Sequence, residues 1–171
     1  TAELFINGKS YGKQSKNNSS LKNRYRLMWM DAVYEPGEVK VVAYNKEGKA
    51  VAEKVVRTAG KPHHIELVSN RNELTADGKD LAYVTVKVVD KDGNLCPTDN
   101  RQINFSAKGT GKYRAAANGD PTNLEQFHLP KMHAFNGMLT AIIQAGETAG
   151  EIVFTAKANG VKAGNIRIQT K

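Results

Sequence analysis

Apolar and polar residues alternate along this chain in short runs, and clusters of turn residues separate the runs. A period of two puts every second side chain on one face of an extended strand. Residues 81–90, LAYVTVKVVD, set Ala82, Val84, Val86 and Val88 on one face, which is expected to be core. Residues 102–108 bring Ile103, Phe105 and Ala107 inward. Residues 163–170 do the same with Ile166 and Ile168, while Asn165, Arg167 and Gln169 point outward. Further strands are expected at 64–69, 138–144 and 151–158, with turns at Thr75-Ala76-Asp77-Gly78, Asp92-Gly93 and Asn159-Gly160. About seven short strands with turn signals between them predict an immunoglobulin-like sandwich. No helix longer than a turn or two is expected.

The first third shows the same rhythm with fewer strands: 2–6, 10–14, 25–30 (YRLMWM), 38–44 and 50–57. Asn7-Gly8 is a hairpin signal, because both residues tolerate positive φ. Glu35-Pro36-Gly37 turns the chain through a fixed φ at proline and a left-handed position at glycine. Residues 15–23 are too polar to bury. About five strands are few for a closed sandwich, so either this domain is small or its first strands precede Thr1. Thr58-Ala59-Gly60-Lys61-Pro62 has linker composition. The expected architecture is all-β: two consecutive immunoglobulin-like β-sandwich domains, 1–60 and 61–171, the first truncated at its N-terminus. Trp29, between Met28 and Met30, is expected in the core. Tyr25, Tyr34, Tyr44 and Tyr113 are left open between core packing and an exposed sugar platform.

Residues 115–135, AAANGDPTNLEQFHLPKMHAF, break the rhythm. No alternation runs through them, Asn118-Gly119-Asp120-Pro121 forms a turn cluster, and Pro130 interrupts the second half. A loop of this length without its own secondary structure is uncommon in a compact domain, and when ordered it is often functional. Leu124, Phe127, Leu129, Met132 and Phe135 are expected to pack it down across one end of the second sandwich, with Asp120 free to accept hydrogen bonds. Asn118, Asp120, Thr122, Phe127 and His128 are the candidate surface for docking another domain. The rival reading is that the loop only closes its own sandwich.

Composition changes this picture little. The 171 residues are 40% hydrophobic and 25% charged, with no apolar run of membrane-spanning length. The net charge is +8, and residues 1–60 carry 11 Lys+Arg against 6 Asp+Glu. The densest basic stretch holds Lys9, Lys13, Lys16, Lys22, Arg24 and Arg26 with no acid among them. It has no nucleic-acid recognition motif, so a solvated loop or a surface facing an acidic neighbour is the better reading. A single cysteine, Cys96, rules out an internal disulfide and reads as a small apolar residue at a strand end.

The candidate chemistry is sparse. Asp90-Lys91-Asp92-Gly93-Asn94 resembles a calcium loop but lacks the third spaced acid and the downstream glutamate, and reads better as a hairpin turn. His128 and His133 have no cysteine pair to complete a metal set. His63 and His64 fall at the linker and read as surface residues. There is neither a phosphate-binding glycine loop nor a serine nucleophile motif, and no cofactor is implied.

Two stretches carry a family resemblance. Glu3-Leu4-Phe5-Ile6-Asn7-Gly8-Lys9-Ser10, with Trp29, Tyr34-Glu35-Pro36-Gly37 and the strand at 39–44, resembles a small C-terminal domain of bacterial glycoside hydrolase family 2 enzymes, many of them β-galactosidases. Asn118-Gly119-Asp120-Pro121-Thr122 with Phe135-Asn136-Gly137 resembles the immunoglobulin-like domain next to it in those enzymes. The resemblance covers nearly the whole chain. It implies non-catalytic accessory domains bracing or framing the (β/α)₈ barrel of a retaining, periplasmic or secreted parent enzyme. The partner would be that barrel, and a carbohydrate is a second candidate; neither nucleic acid nor membrane is expected. Asn72-Glu73 matches the family's acid/base pair only superficially, since it precedes a turn in a β-domain and the chemistry needs two carboxyl groups about 5 Å apart. Residues 76–90 also share a generic pattern with bacterial adhesin repeats. A carbohydrate-binding module and an adhesin-like spacer are therefore the alternatives.

Overall fold

Alternation builds the strands of both compact units in the computed structural model, which describes all of residues 1–171. The units are Thr1–Thr58 and Ala59–Lys171. In the first, β1 (Ala2–Ile6), β2 (Lys9–Gln14), β3 (Glu38–Tyr44) and β4 (Ala50–Arg57) form one antiparallel sheet in the order β2-β1-β3-β4. Ala2, Leu4 and Ile6 alternate on one face of β1 and are buried. Register sets them opposite Ala43, Val41 and Val39.

The Asn-Gly and Pro-Gly turns of this unit work together. Asn7 takes φ 48°. Its Oδ1 accepts from the Glu38 amide at 2.8 Å, and its Nδ2 donates to the Pro36 carbonyl at 3.1 Å. Gly37 has φ 135°, and a Cβ there would collide with the Asn7 side chain. Only glycine lets the two turns meet in this way.

Residues 25–30 do not form the expected strand. A five-residue helix, α1 (Leu21–Tyr25), leads into them, with Ser20 Oγ accepting from the Asn23 amide at 3.3 Å as its N-cap. The run after the helix is tied to the sheet edge by side chains instead of by a ladder. Gln14 Nε2 donates to the Met28 carbonyl at 2.7 Å, and Trp29 Nε1 donates to the Gly12 carbonyl at 2.9 Å. Trp29 is half-buried, not core. Its ring needs a partner for the N–H, and the open edge of β2 provides a carbonyl. Within this chain the unit is thus one sheet of four strands, with no fifth strand at residues 25–30.

The second unit is a two-layer sandwich. Its strands are β5 (His64–Ser69), β6 (Glu73–Leu74), β7 (Leu81–Val89), β8 (Gln102–Gly109), β9 (Gly111–Ala117), β10 (Lys131–His133), β11 (Met138–Ala145), β12 (Gly150–Lys157) and β13 (Gly164–Thr170). One sheet has the order β10-β8-β12-β13-β6, the other β5-β7-β11-β9. All pairings are antiparallel except β13 with β6. The inward faces are those the alternation marks: Ala82, Val84, Val86 and Val88 from β7, Ile103 and Phe105 from β8, and Ile168 from β13 are buried. Leu139, Ala141, Ile143, Ile152, Phe154 and Met132 are among the other residues of this core. Burying each large side chain contributes roughly 1.5–3 kcal/mol.

Strand β9 is absent from the sequence-based prediction. The chain passes from one sheet to the other at Gly109-Thr110-Gly111. Gly109 has φ 99° and lies against the Glu151 carbonyl, so a side chain there would meet backbone. Two glycines around one threonine allow the switch without a loop.

Candidate functional site

The irregular segment is shorter than its sequence suggests, because Ala115, Ala116 and Ala117 end β9 and Lys131, Met132 and His133 form β10. Between them lies an ordered loop held almost wholly by hydrogen bonds. Tyr113 is its strut. Its ring stacks on Phe105 of the core with centroids 5.4 Å apart, and its hydroxyl donates to the carbonyls of Leu129 (2.7 Å) and Phe127 (3.1 Å). Burial pushes the Tyr113 phenol up to about 12, so it stays a donor at any ordinary pH. The Ala116 amide also donates to the Phe127 carbonyl at 2.8 Å, and the Phe105 amide donates to the Pro130 carbonyl at 2.8 Å.

Asn118, Asp120 and Thr122 make one connected turn. Asn118 Oδ1 accepts from the Asp120 amide at 3.1 Å, while its Nδ2 donates to the His133 carbonyl at 3.0 Å. Asp120 Oδ1 accepts from both the amide and the hydroxyl of Thr122 at 2.8 Å. Gly119 between them has φ 78° with open space around it. The Asp120 carboxylate thus accepts hydrogen bonds inside its own turn through Oδ1, and its Oδ2 has no partner within the chain. A second clasp closes the loop. Glu125 accepts from the His133 amide and faces the His133 ring nitrogen, both at 3.0 Å. Burial raises the Glu125 pKa, but the amide and ring of His133 outweigh it and hold the carboxyl below its ordinary value. Asn123 Nδ2 is buried without a partner.

The apolar residues of the loop divide. Met132 is fully buried on β10, and Leu129 and Phe135 are outside the core. Leu124 is 96% exposed and Phe127 57% exposed, so neither packs the loop down. Backbone and polar side-chain bonds replace the expected apolar cover. Of the candidate docking residues, the structure joins Asn118, Asp120 and Thr122 in one turn. Phe127 is fixed through its carbonyl with its ring outward, and His128 is exposed. Tyr113 and Glu125 also hold this surface, and sequence reasoning does not find them. The only sequence signal for Tyr113 is the weak alternation of Lys112 and Arg114 around it.

The other candidate groups serve the fold. Asp90 is buried and accepts from the amides of Gly60, Asp92 and Asn94 and from Asn94 Nδ2, at 2.8 to 3.0 Å. Every donor is an N–H, as in a locked hairpin turn. Glu73 is exposed on β6, and the Lys171 ammonium donates to it at 2.7 Å. Cys96 is buried, and burial pushes its thiol up. His63 and His64 are half-buried, not freely exposed, with Nδ1 atoms 3.0 Å apart and rings edge to face. No helix is long and apolar enough to cross a membrane.

The second unit is a two-layer β-sandwich in which the polar side chains of Asp90, Asp120 and Glu125 stabilise turns and loops. The chain belongs to glycoside hydrolase family 2: the family's C-terminal domain 5 matches residues 65–167, and a domain of unknown function (DUF4982) matches residues 1–52. It is 41% identical over 169 residues to the β-galactosidase BoGH2A of Bacteroides ovatus, covering 99% of this chain and 19% of that protein. It is 24% identical to a β-glucuronidase of Formosa agariphila, covering 99% of this chain and 17% of that one. Among solved structures, a family 2 member from Bacteroides cellulosilyticus superimposes with a TM-score of 0.85 at 34% identity, covering 99% of this chain and 21% of that one. The chain thus spans about a fifth of the length of these relatives.

Proposed function

We propose that this chain forms accessory, non-catalytic domains of a β-galactosidase, where they brace and frame the catalytic barrel of the same polypeptide. The observation that carries the reading is the match, over 99% of this chain, to 19% of a β-galactosidase. The specificity for galactosides rests on that relative, and a β-glucuronidase among the relatives makes it the point to test. Chromogenic β-galactoside and β-glucuronide offered to the full-length parent decide it: turnover of the galactoside alone is expected, and turnover of the glucuronide alone overturns the specificity.

The docking surface in this reading is the turn of Asn118, Asp120 and Thr122 with Phe127 and His128. Its backbone is already ordered, so a partner that covers it meets little further ordering cost. Phe127→Ala with His128→Ala removes two exposed side chains and no bond that holds the loop. The melting temperature of the 171-residue chain should stay within about two degrees. The full-length parent should melt lower or lose activity. An unaltered parent means that the loop closes only its own sandwich.

A further inference from the structure

We propose that the loop between β2 and β3, together with the outer strand β2, is a binding surface for anionic polysaccharide carrying carboxylate or sulfate groups. Lys9, Lys13, Lys16, Lys22, Arg24 and Arg26 are all exposed, and none takes part in an ion pair. Residues 1–30 hold a single acid, Glu3, and the far end of the β2–β3 loop adds two exposed ones, Asp31 and Glu35, beyond the basic run. Glu3 is engaged by the Ser10 hydroxyl at 2.7 Å and the Tyr44 hydroxyl at 2.9 Å.

The loop is ordered, which keeps these cations together. Its base is tied to β2 by Gln14 to Met28 and by Trp29 to Gly12. Inside it, the Ser20 amide donates to the Asn17 carbonyl at 3.3 Å, and the Arg24 guanidinium donates to the Asn18 carbonyl through Nε (3.2 Å) and Nη2 (2.7 Å). Lys9 and Lys13 stand on the strand from which this loop departs. The ammonium groups of Lys16 and Lys22 and the Arg26 guanidinium bond to nothing in the chain, whereas the Asn17 and Ser20 side chains accept from the Ser19 and Asn23 amides within the loop. Uncompensated like charge opposes compactness, and a polyanion relieves it while releasing its own counterions. Tyr25 is 74% exposed, with the Arg24 guanidinium 5.9 Å from its ring centroid. An exposed aromatic ring beside cations offers an apolar face to one side of a sugar ring while the cations meet its acidic groups. The choice of a glycan over other polyanions rests on membership of a glycosidase family.

The test is affinity electrophoresis of the 171-residue chain through gels containing polygalacturonate, chondroitin sulfate or neutral galactan, with a single-stranded oligonucleotide titrated separately. Retardation by polygalacturonate, by chondroitin sulfate or by both is expected, falling steeply between about 50 and 200 mM salt. The first glycan alone identifies carboxylate as the ligand group, and the second alone identifies sulfate. Lys16→Gln with Lys22→Gln and Arg26→Gln should weaken binding at least about tenfold without moving the melting temperature, since none of these side chains is bonded. Tyr25→Ala should weaken it about threefold or more. If the triple variant does not fold, Lys9→Gln with Lys13→Gln replaces it, with loss of binding again expected. The proposal is overturned if neither anionic glycan retards the chain at low salt. It is equally overturned if galactan retards it as strongly, if the variants bind unchanged, or if the oligonucleotide binds more tightly than either glycan.

Discussion

Asp90 shows how one carboxylate organises a turn and where sequence reading stops. The pattern Asp90-Lys91-Asp92-Gly93-Asn94 marks a hairpin, and three of the four donors to Asp90 come from Asp92 and Asn94. The fourth is the Gly60 amide, far upstream in the chain, which no local pattern reveals. The Gly60 amide, then the Asn94 side chain, hold the carboxyl far below its ordinary value. A group with a depressed folded pKa contributes its full stability above the unfolded pKa, about 3.9, and loses it as pH falls through the folded one. Thermal melts should show the wild-type advantage over Asp90→Asn undiminished from about pH 7 to pH 5 and shrinking below about pH 4. An advantage that grows on acidification contradicts this account. Tyr113 offers a second residue-scale test. Tyr113→Phe keeps the stack on Phe105 and removes both bonds to the loop carbonyls. Urea denaturation should show a loss of about 1 kcal/mol, with faster amide exchange at Ala116. No change in either would remove Tyr113 as the strut.

Elements were legible where side chains are large and alternate, and illegible where something else sets the backbone. Strands β7, β8 and β13 follow their inward apolar faces. Strand β9 carries three alanines and one tyrosine, too little contrast to show a period. Strand β6 has two residues, and β10 has three behind a proline. The run at 25–30 has strand composition but joins no ladder, and the side-chain bonds of Gln14 and Trp29 hold it instead. The candidate loop was legible in position but not in mechanism. Leu124 and Phe127 look like anchors in sequence and face solvent, because carbonyls accepting from Tyr113 and the clasp between Glu125 and His133 already order the backbone. Strand β10 is the apolar exception: Met132 is completely buried while Lys131 and His133 are exposed. Met132→Ala should cost about 2–5 kcal/mol in chemical denaturation, whereas Leu124→Ala should cost less than about 0.5 kcal/mol. The reverse order would mean that the loop packs through Leu124 after all.

At the scale of the chain, the two units differ in how they can bury apolar surface. The second has two layers facing one core, and Ala59 packs against that core. The first has one sheet of four strands, with Val51 and Val56 on its outer strand exposed. A single layer of this size buries too little to offset the entropy of ordering its residues. The second unit should therefore fold alone and the first should not. The sequence places a linker over residues 58–62, but physical boundaries follow bonds, and both Ala59 and Gly60 contribute to the second unit. Residues 59–171 and 61–171, expressed separately, should each melt cooperatively. The shorter piece should melt several degrees lower, because it loses both the Gly60 donor to Asp90 and the Ala59 contact. Residues 1–58 should show no cooperative transition as a monomer. If they melt cooperatively while 59–171 does not, the assignment of stability to the two-layer unit is wrong. If 61–171 matches 59–171, the Gly60 amide contributes nothing that solvent cannot replace.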